Sequence, residues 1–229
     1  MMERMQKLVA ALALALPFAS FGCSSTGHGD LPEPLPEQPL ESLSAYPEGP
    51  FGVAKGATIR DYRFQGWVDP SADSTEFVTI SLADFYNPTG DGLYPEGSPY
   101  GAGTPLPKAL FIDISSSWCG PCQVEASETL PDKYAELGPK GAEFLLQLAD
   151  GPSPGTPATE GDLRAWTKKF DVNYPSTLDS SAQLAALYNG GTFPANAIIR
   201  TSTMEIVDVV NGVPNDAFWE TLAAIVDAP

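Results

Sequence analysis

The stretch ALFIDISSSWCGPC, residues 109–122, decides how the chain is read. Its first six residues are apolar except for Asp113, the pattern of a strand buried on both faces. Three serines and Trp118 follow, then Cys119 and Cys122 with Gly120 and Pro121 between them. From Pro121 the spacing becomes helical as far as residue 137, so the cysteines stand where a strand hands over to a helix. The first turn of a helix carries unpaired backbone N–H groups and the positive end of the macrodipole. A thiol placed there is stabilised as the thiolate, and its pKa falls from about 8.5 to roughly 7. The thiolate is the attacking species in disulfide exchange. The expectation is therefore an exposed Cys119 as nucleophile and a more buried Cys122 that resolves the mixed disulfide. Pro121 suits the first turn, where its missing N–H leaves nothing unpaired.

Composition narrows the chemistry. The 229 residues include three cysteines, Cys23, Cys119 and Cys122, and one histidine, His28. Three cysteines are too few for a disulfide scaffold or a four-cysteine zinc site. A structural disulfide or half a metal site is the plain alternative for two cysteines at this spacing; the strand before, the helix after and the missing second ligand pair argue against it. His28 lies in a Gly/Ser-rich stretch, which leaves neither a histidine triad nor a His-rich metal site. No metal and no cofactor is expected. The formal charge of −17 excludes nucleic acid as a partner, because phosphate binding needs clustered Lys and Arg.

The first 22 residues look like an export address. Arg4 and Lys7 precede an apolar run, 8–16, that is too short to span a bilayer. Ser20-Phe21-Gly22-Cys23 then resembles a bacterial lipoprotein signal, in which the cysteine becomes the lipidated N-terminus. Ser20 and the bulky Phe21 depart from that pattern, and plain secretion with cleavage near Gly22 is the other reading. Residues 23–50 carry alternating prolines, as in Leu31-Pro32-Glu33-Pro34-Leu35-Pro36, which favour an extended, semi-rigid tether.

Farther on, 59–67 and 77–82 have the β-branched and aromatic content of short strands, and 87–107 is a long turn-rich loop. Strands are expected at 109–114, 144–148, 195–199 and 205–210. Helices are expected at 121–137, 159–170 with Thr159 and Asp162 as a cap, 180–188 stopped by Asn189-Gly190-Gly191, and 215–226. Alternation followed by a hairpin implies an α/β fold with a central mixed sheet flanked by helices.

Trp118-Cys119-Gly120-Pro121-Cys122 is the motif of thioredoxins and of the exported TlpA/ResA-like family, membrane-anchored thiol–disulfide oxidoreductases that this chain resembles well over 105–229 and loosely over the N-terminal extension, 51–104. The resemblance continues in Ser81-Leu82-Ala83-Asp84-Phe85, Tyr174-Pro175, Leu178-Asp179, Leu187-Tyr188 and Gly191-Thr192-Phe193-Pro194. It implies a thioredoxin-like fold in which Asp113, six residues before Cys119, accepts the proton of Cys122. It implies that Pro194 is a cis-proline beside the cysteines, and that Thr192 and Phe193, with Trp118, Gly120 and Pro121, line the substrate surface. Protein disulfides or dithiols are the implied substrates, a membrane or periplasmic protein the electron donor, and the cell envelope the location, with the lipid on Cys23 as anchor. Ser115-Ser116-Ser117 replaces bulkier residues of the family pattern, and Asn196 and Ala197 stand where threonines are common. Two rival readings are a thiol peroxidase, which wants a proline-led Thr/Ser-x-x-Cys and an arginine, and a redox-inert binding module, against which the intact cysteine pair argues.

Overall fold

The structure is a computed structural model that describes residues 46–71, 76–187 and 192–228. The expected leader, the tether and Cys23 lie outside these residues, as do Tyr188 to Gly191. Seven strands run in the chain as β1 (Arg63–Trp67), β2 (Val78–Ser81), β3 (Ala109–Ser116), β4 (Ala142–Asp150), β5 (Ser176–Leu178), β6 (Ala195–Arg200) and β7 (Glu205–Asn211). They form one sheet in the order β2-β1-β5-β4-β3-β6-β7. β3, β4 and β5 are parallel, and the remaining pairs are antiparallel. The sheet is mixed, as the order of motifs implied.

β3 lies at the centre of the redox half because it is apolar on both faces, and alternation divides its side chains between two cores. Ala109 and Phe111 pack with Phe144, Leu146 and Leu148 of β4 in one cluster, which also takes in both motif cysteines. The helices α3 (Glu160–Lys169) and α4 (Asp216–Val226) cover this face through Leu163, Trp166, Phe218 and Trp219. Phe111 sits 4.6 Å from Phe144 and 5.1 Å from Trp219 between ring centroids. Leu110, Ile112 and Ile114 point the other way and meet Phe64, Ile80, Leu82, Phe85 and Leu184. Thr159 caps α3 in a reciprocal box with Asp162, and Asn215 caps α4.

Residues 87–107 form a closed loop rather than a loose one. Asn87 is buried; its Nδ2 donates to the carbonyls of Leu106 and Pro107, and its Oδ1 accepts from the Gly92 N–H. Tyr94 stacks on Tyr100 within the loop at 4.8 Å.

Three expectations are corrected. The strand expected over 59–67 begins only at Arg63. The helix expected over 121–137 is interrupted: α1 (Gly120–Val124) passes through a π-helical turn (Glu125–Thr129) into α2 (Leu130–Leu137). Pro131 explains this, since it cannot donate to the carbonyl four residues back and its ring crowds that carbonyl. The helix expected over 180–188 does not form among the described residues. Instead 180–187 makes successive tight turns, with Ala182, Ala185 and Leu187 each donating to the carbonyl three residues back. The buried Asp179 carboxylate draws the N–H groups of Gln183 and Leu184 to 2.7 and 2.8 Å, and Ala182 adopts a left-handed φ of 53°. Leu184 and Leu187 are both buried, so turns three residues apart produced the apolar spacing of a helix. A short strand, β5, was not anticipated. It pairs with β1 where a Cβ on Gly66 would collide with the Ser176 carbonyl, so the glycine is what allows the approach.

Asp179→Ala removes two hydrogen bonds to a buried carboxylate, and urea unfolding should show a loss of about 2–3 kcal/mol. Ala182→Gly separates turns from helix. At a left-handed position it should hold or raise stability by up to ~1 kcal/mol, whereas in a helix it would cost about that much.

Candidate active site

Cys119 ends the connection from β3 and is the N-cap of α1, with its Sγ accepting from the Cys122 N–H at 3.1 Å. The two cysteines are joined by a disulfide. The expected contrast in their exposure is corrected: Cys119 is 2% exposed and Cys122 0%. In the disulfide state the Cys119 side chain is turned in over the helix start, and the exposed groups at the motif are Trp118, Gly120 and Pro121. A Cβ at Gly120 would meet nothing within 4 Å, so the backbone there is open to an approaching chain.

Trp118 is held from the side. Its Nε1 donates to Asp150 Oδ2 at 3.0 Å, and the same oxygen accepts from the Gly155 N–H. Its ring meets Phe193 edge-on at 5.9 Å. The two aromatics border a cleft of about 490 Å³ that also touches Pro154, Pro157, Asp179 and Ala185. The Phe193-Pro194 peptide bond is cis. Pro194 is buried, Phe193 half-buried and Thr192 exposed. The Pro194 carbonyl accepts from the Gly212 N–H at 2.7 Å, which ties the proline turn to the end of β7.

Asp113 faces the same side of β3 as Phe111, toward the cysteines, and is 1% exposed. Its Oδ1 accepts from the Ser115 hydroxyl at 2.8 Å, and its Oδ2 has no hydrogen-bond partner. A second acid was missed. The π turn swings Glu125 inward to 1% exposure, where Asn196 Nδ2 donates to its Oε1 at 3.2 Å and its Oε2 is unpartnered. The signal lay in Pro131, which marks the interrupted helix, and in an acid three residues past Cys122. Burial pushes both carboxyls above the ordinary range, Asp113 to about 7 and Glu125 to about 9. The Ser115 hydroxyl opposes the first shift. Repulsion from Asp113 adds to the second, and the Asn196 amide opposes it. None of the ion pairs among the described residues involves either acid. Among the described residues, no group of three His, Cys, Asp or Glu could hold a metal ion, and no helix is long and apolar enough to cross a membrane.

The ResA thiol-disulfide oxidoreductase of Bacillus cereus is 25% identical to the chain over 92 residues, 40% of this chain and 49% of the relative. The Bacillus thuringiensis ResA is 23% identical over 92 residues. Over those residues the chain is similar in sequence to these two ResA proteins. It spans about half the length of the curated relatives it matches. The thioredoxin fold itself is shared with solved structures. A candidate DsbE thiol:disulfide interchange protein from Chlorobium tepidum superposes with a TM-score of 0.53 at 17% identity, over 76% of this chain and 99% of that one. The thioredoxin domain of a thiol-disulfide oxidoreductase from Bacteroides vulgatus gives 0.51 at 17%, over 77% and 100%. No family model matches the chain.

The raised acids make stability fall with rising pH. Their unfolded values lie near 3.8 and 4.5, so above about pH 4 the folded chain keeps protons that the unfolded chain has released. Stability is thus greatest below the ordinary carboxylate range and declines as pH rises through the raised titration of the pair. Urea midpoints from pH 5 to 9 should fall steadily in the wild type and less steeply in Asp113→Asn. Glu143, also raised to about 7 by burial, supplies part of the slope that remains.

Proposed function

We propose that the chain is an extracytoplasmic thiol–disulfide oxidoreductase that reduces or exchanges disulfides in other proteins. The observation that carries this reading is the Cys119–Cys122 disulfide at a helix start, beside a cis-proline and backed by two buried carboxyls. In the reduced protein Cys119, stabilised as thiolate by the helix start, attacks a substrate sulfur and forms a mixed disulfide. Cys122 then resolves it, giving up its proton to the acid pair, with Asp113 as the acceptor on the strand and Glu125 beside it. A carboxyl whose pKa lies near neutrality can take that proton at working pH, whereas an ordinary one is too weak a base.

The surface suits a polypeptide substrate. Trp118, Val124 and Val213 are exposed apolar residues, on the motif, on α1 and just past Gly212. Thr192, Phe193 and Pro194 stand beside the motif, and the cis X–Pro turn is where a substrate segment pairs in strand-like fashion. Gly120 and Pro121 present the open backbone over the disulfide. A dithiol protein of the membrane or periplasm returns electrons to the pair, and lipid on Cys23 holds the domain at the envelope through the Pro-rich tether.

Rapid mixing of the reduced protein with a disulfide substrate separates the two steps. Cys119→Ser should abolish exchange, and Cys122→Ser should accumulate mixed disulfides. Asp113→Asn should leave the first phase near the wild-type rate and slow the second by about 100-fold, the low end of the range for general base catalysis. Resolution by Asp113→Asn at the wild-type rate across neutral pH removes Asp113 from the mechanism.

Location has its own test. Mass spectrometry of the mature protein should find Cys23 at the N-terminus carrying acyl chains. An unmodified Cys23, or an intact Met1, rejects the lipid anchor and leaves the redox chemistry untouched.

A further inference from the structure

Asn196 lies on β6, two residues past cis-Pro194, and its Cα is the register partner of Asp113 across the β3–β6 pair. Its Nδ2 donates to Glu125 Oε1 at 3.2 Å and to the Gly212 carbonyl at 3.3 Å. Gly212 in turn donates to the Pro194 carbonyl. One side chain therefore touches the acid of the π turn, stands opposite the acid of β3, and is pinned to the strand end that holds the proline turn.

Three buried atoms of Asp113, Glu125 and Asn196 are unsatisfied, and they are of one kind. Asp113 Oδ2, Glu125 Oε2 and Asn196 Oδ1 are buried without hydrogen-bond partners, and every one is an acceptor. A carboxylate has no hydrogen to give, and a protonated carboxyl has one. Among these protein groups, only hydrogens on the two carboxyls can supply donors to the unpaired oxygens. The disulfide state described here is thus best satisfied when the acid pair is carrying protons.

We propose that Asn196 is a positioning residue for the proton-transfer step: by holding the Glu125 carboxyl from the strand position opposite Asp113 it makes the two carboxyls one unit that keeps the proton released by Cys122. The inference rests on the oxidoreductase reading above. When Cys122 Sγ attacks Cys119 Sγ in the mixed disulfide, the Cys119–Cys122 bond forms and the bond from Cys119 to the substrate sulfur breaks. The Cys122 proton passes to the acid pair. The electron pair of the broken bond leaves with the substrate thiolate, which takes its proton from solvent. The enzyme dithiol is oxidised and the substrate disulfide reduced. The proton stays with the enzyme, in the state whose unpaired acceptors call for it. The other titratable groups facing the pair are the two cysteines themselves and Tyr174, ahead of β5, whose own pKa burial raises. The Ser115 hydroxyl is the remaining donor to Asp113.

The test is the midpoint potential of the Cys119–Cys122 couple against pH in the full chain, with thermal unfolding alongside. The potential changes slope with pH where a group linked to the redox change titrates. A hydrogen bond to an anion favours the anion, so removing the Asn196 amide should raise the pKa it holds down. In Asn196→Ala the upper inflection should move up by about one pH unit, the scale of one hydrogen bond to a charged group. Asn196→Thr retains a donor hydroxyl and should lie between wild type and Ala. It also carries the measurement if the Ala variant does not fold. Inflections that stay in place while the melting temperature falls overturn the proposal, because Asn196 is then only a packing residue. Absence of thiol–disulfide exchange in the wild type overturns the oxidoreductase reading and this inference with it; normal exchange with unmoved inflections overturns this inference alone.

Discussion

A carboxyl inside an apolar strand must lose its charge, find a cation or serve a group that needs it, because an unpaired buried anion is among the most destabilising features a domain can contain. Among the described residues no cation pairs with Asp113 or with Glu125, which the π turn brings into the same buried region. Each carboxyl has one side-chain donor on one oxygen and nothing on the other. The arrangement persists because the surrounding elements are over-determined by packing: β3 between β4 and β6, and Phe111 against Phe144 and Trp219. The apolar core holds in place an acid pair that would not be stable there alone. A pair so placed has a strong preference for protons, which is the property a resolving thiol requires of its neighbours.

The parts of the fold legible in the sequence were those where one local signal had one physical meaning. The apolar run ahead of Cys119 was read as a doubly buried strand, and the Thr159–Asp162 cap and the helix start at Asn215 are kept by the structure. The cis-proline became legible through a resemblance, since nothing in Thr192-Phe193-Pro194 alone distinguishes cis from trans. The failures share a cause: a signal that two structures satisfy equally. Leu184 and Leu187 are spaced as a helix or as consecutive turns would space them, and the choice was made by the Asp179 carboxylate, whose preference for two N–H groups depends on its burial. β5 is three residues long and begins Ser-Thr, so its strand character comes from Gly66 and β1 rather than from itself.

The candidate site was half legible for the same reason. Asp113 stood out because it broke an apolar pattern. Glu125 did not, since an acid on a helix is ordinarily solvated, and only the interrupted helix turns it inward. Asn196 was visible as a departure from the threonines common after the proline, yet its partners lie 71 and 16 residues away in the chain. No local pattern encodes a contact of that kind.

Burial of both cysteines has a consequence for how a substrate must arrive. The two cysteines are only 2% and 0% exposed. Under the proposed function a partner brings an extended segment alongside the Trp118–Phe193 contact, over the open backbone of Gly120. The proline turn leads into the strand that carries Asn196, and Gly212 connects the two by bonding both Pro194 and Asn196. A segment that pairs with the proline turn therefore presses on the same strand that holds Glu125. Under the proposed function the proline turn that meets substrate and the group that holds Glu125 are joined through Pro194, Gly212 and Asn196, which is a reason for a buried polar contact to persist where an apolar side chain would pack without leaving an acceptor unpaired.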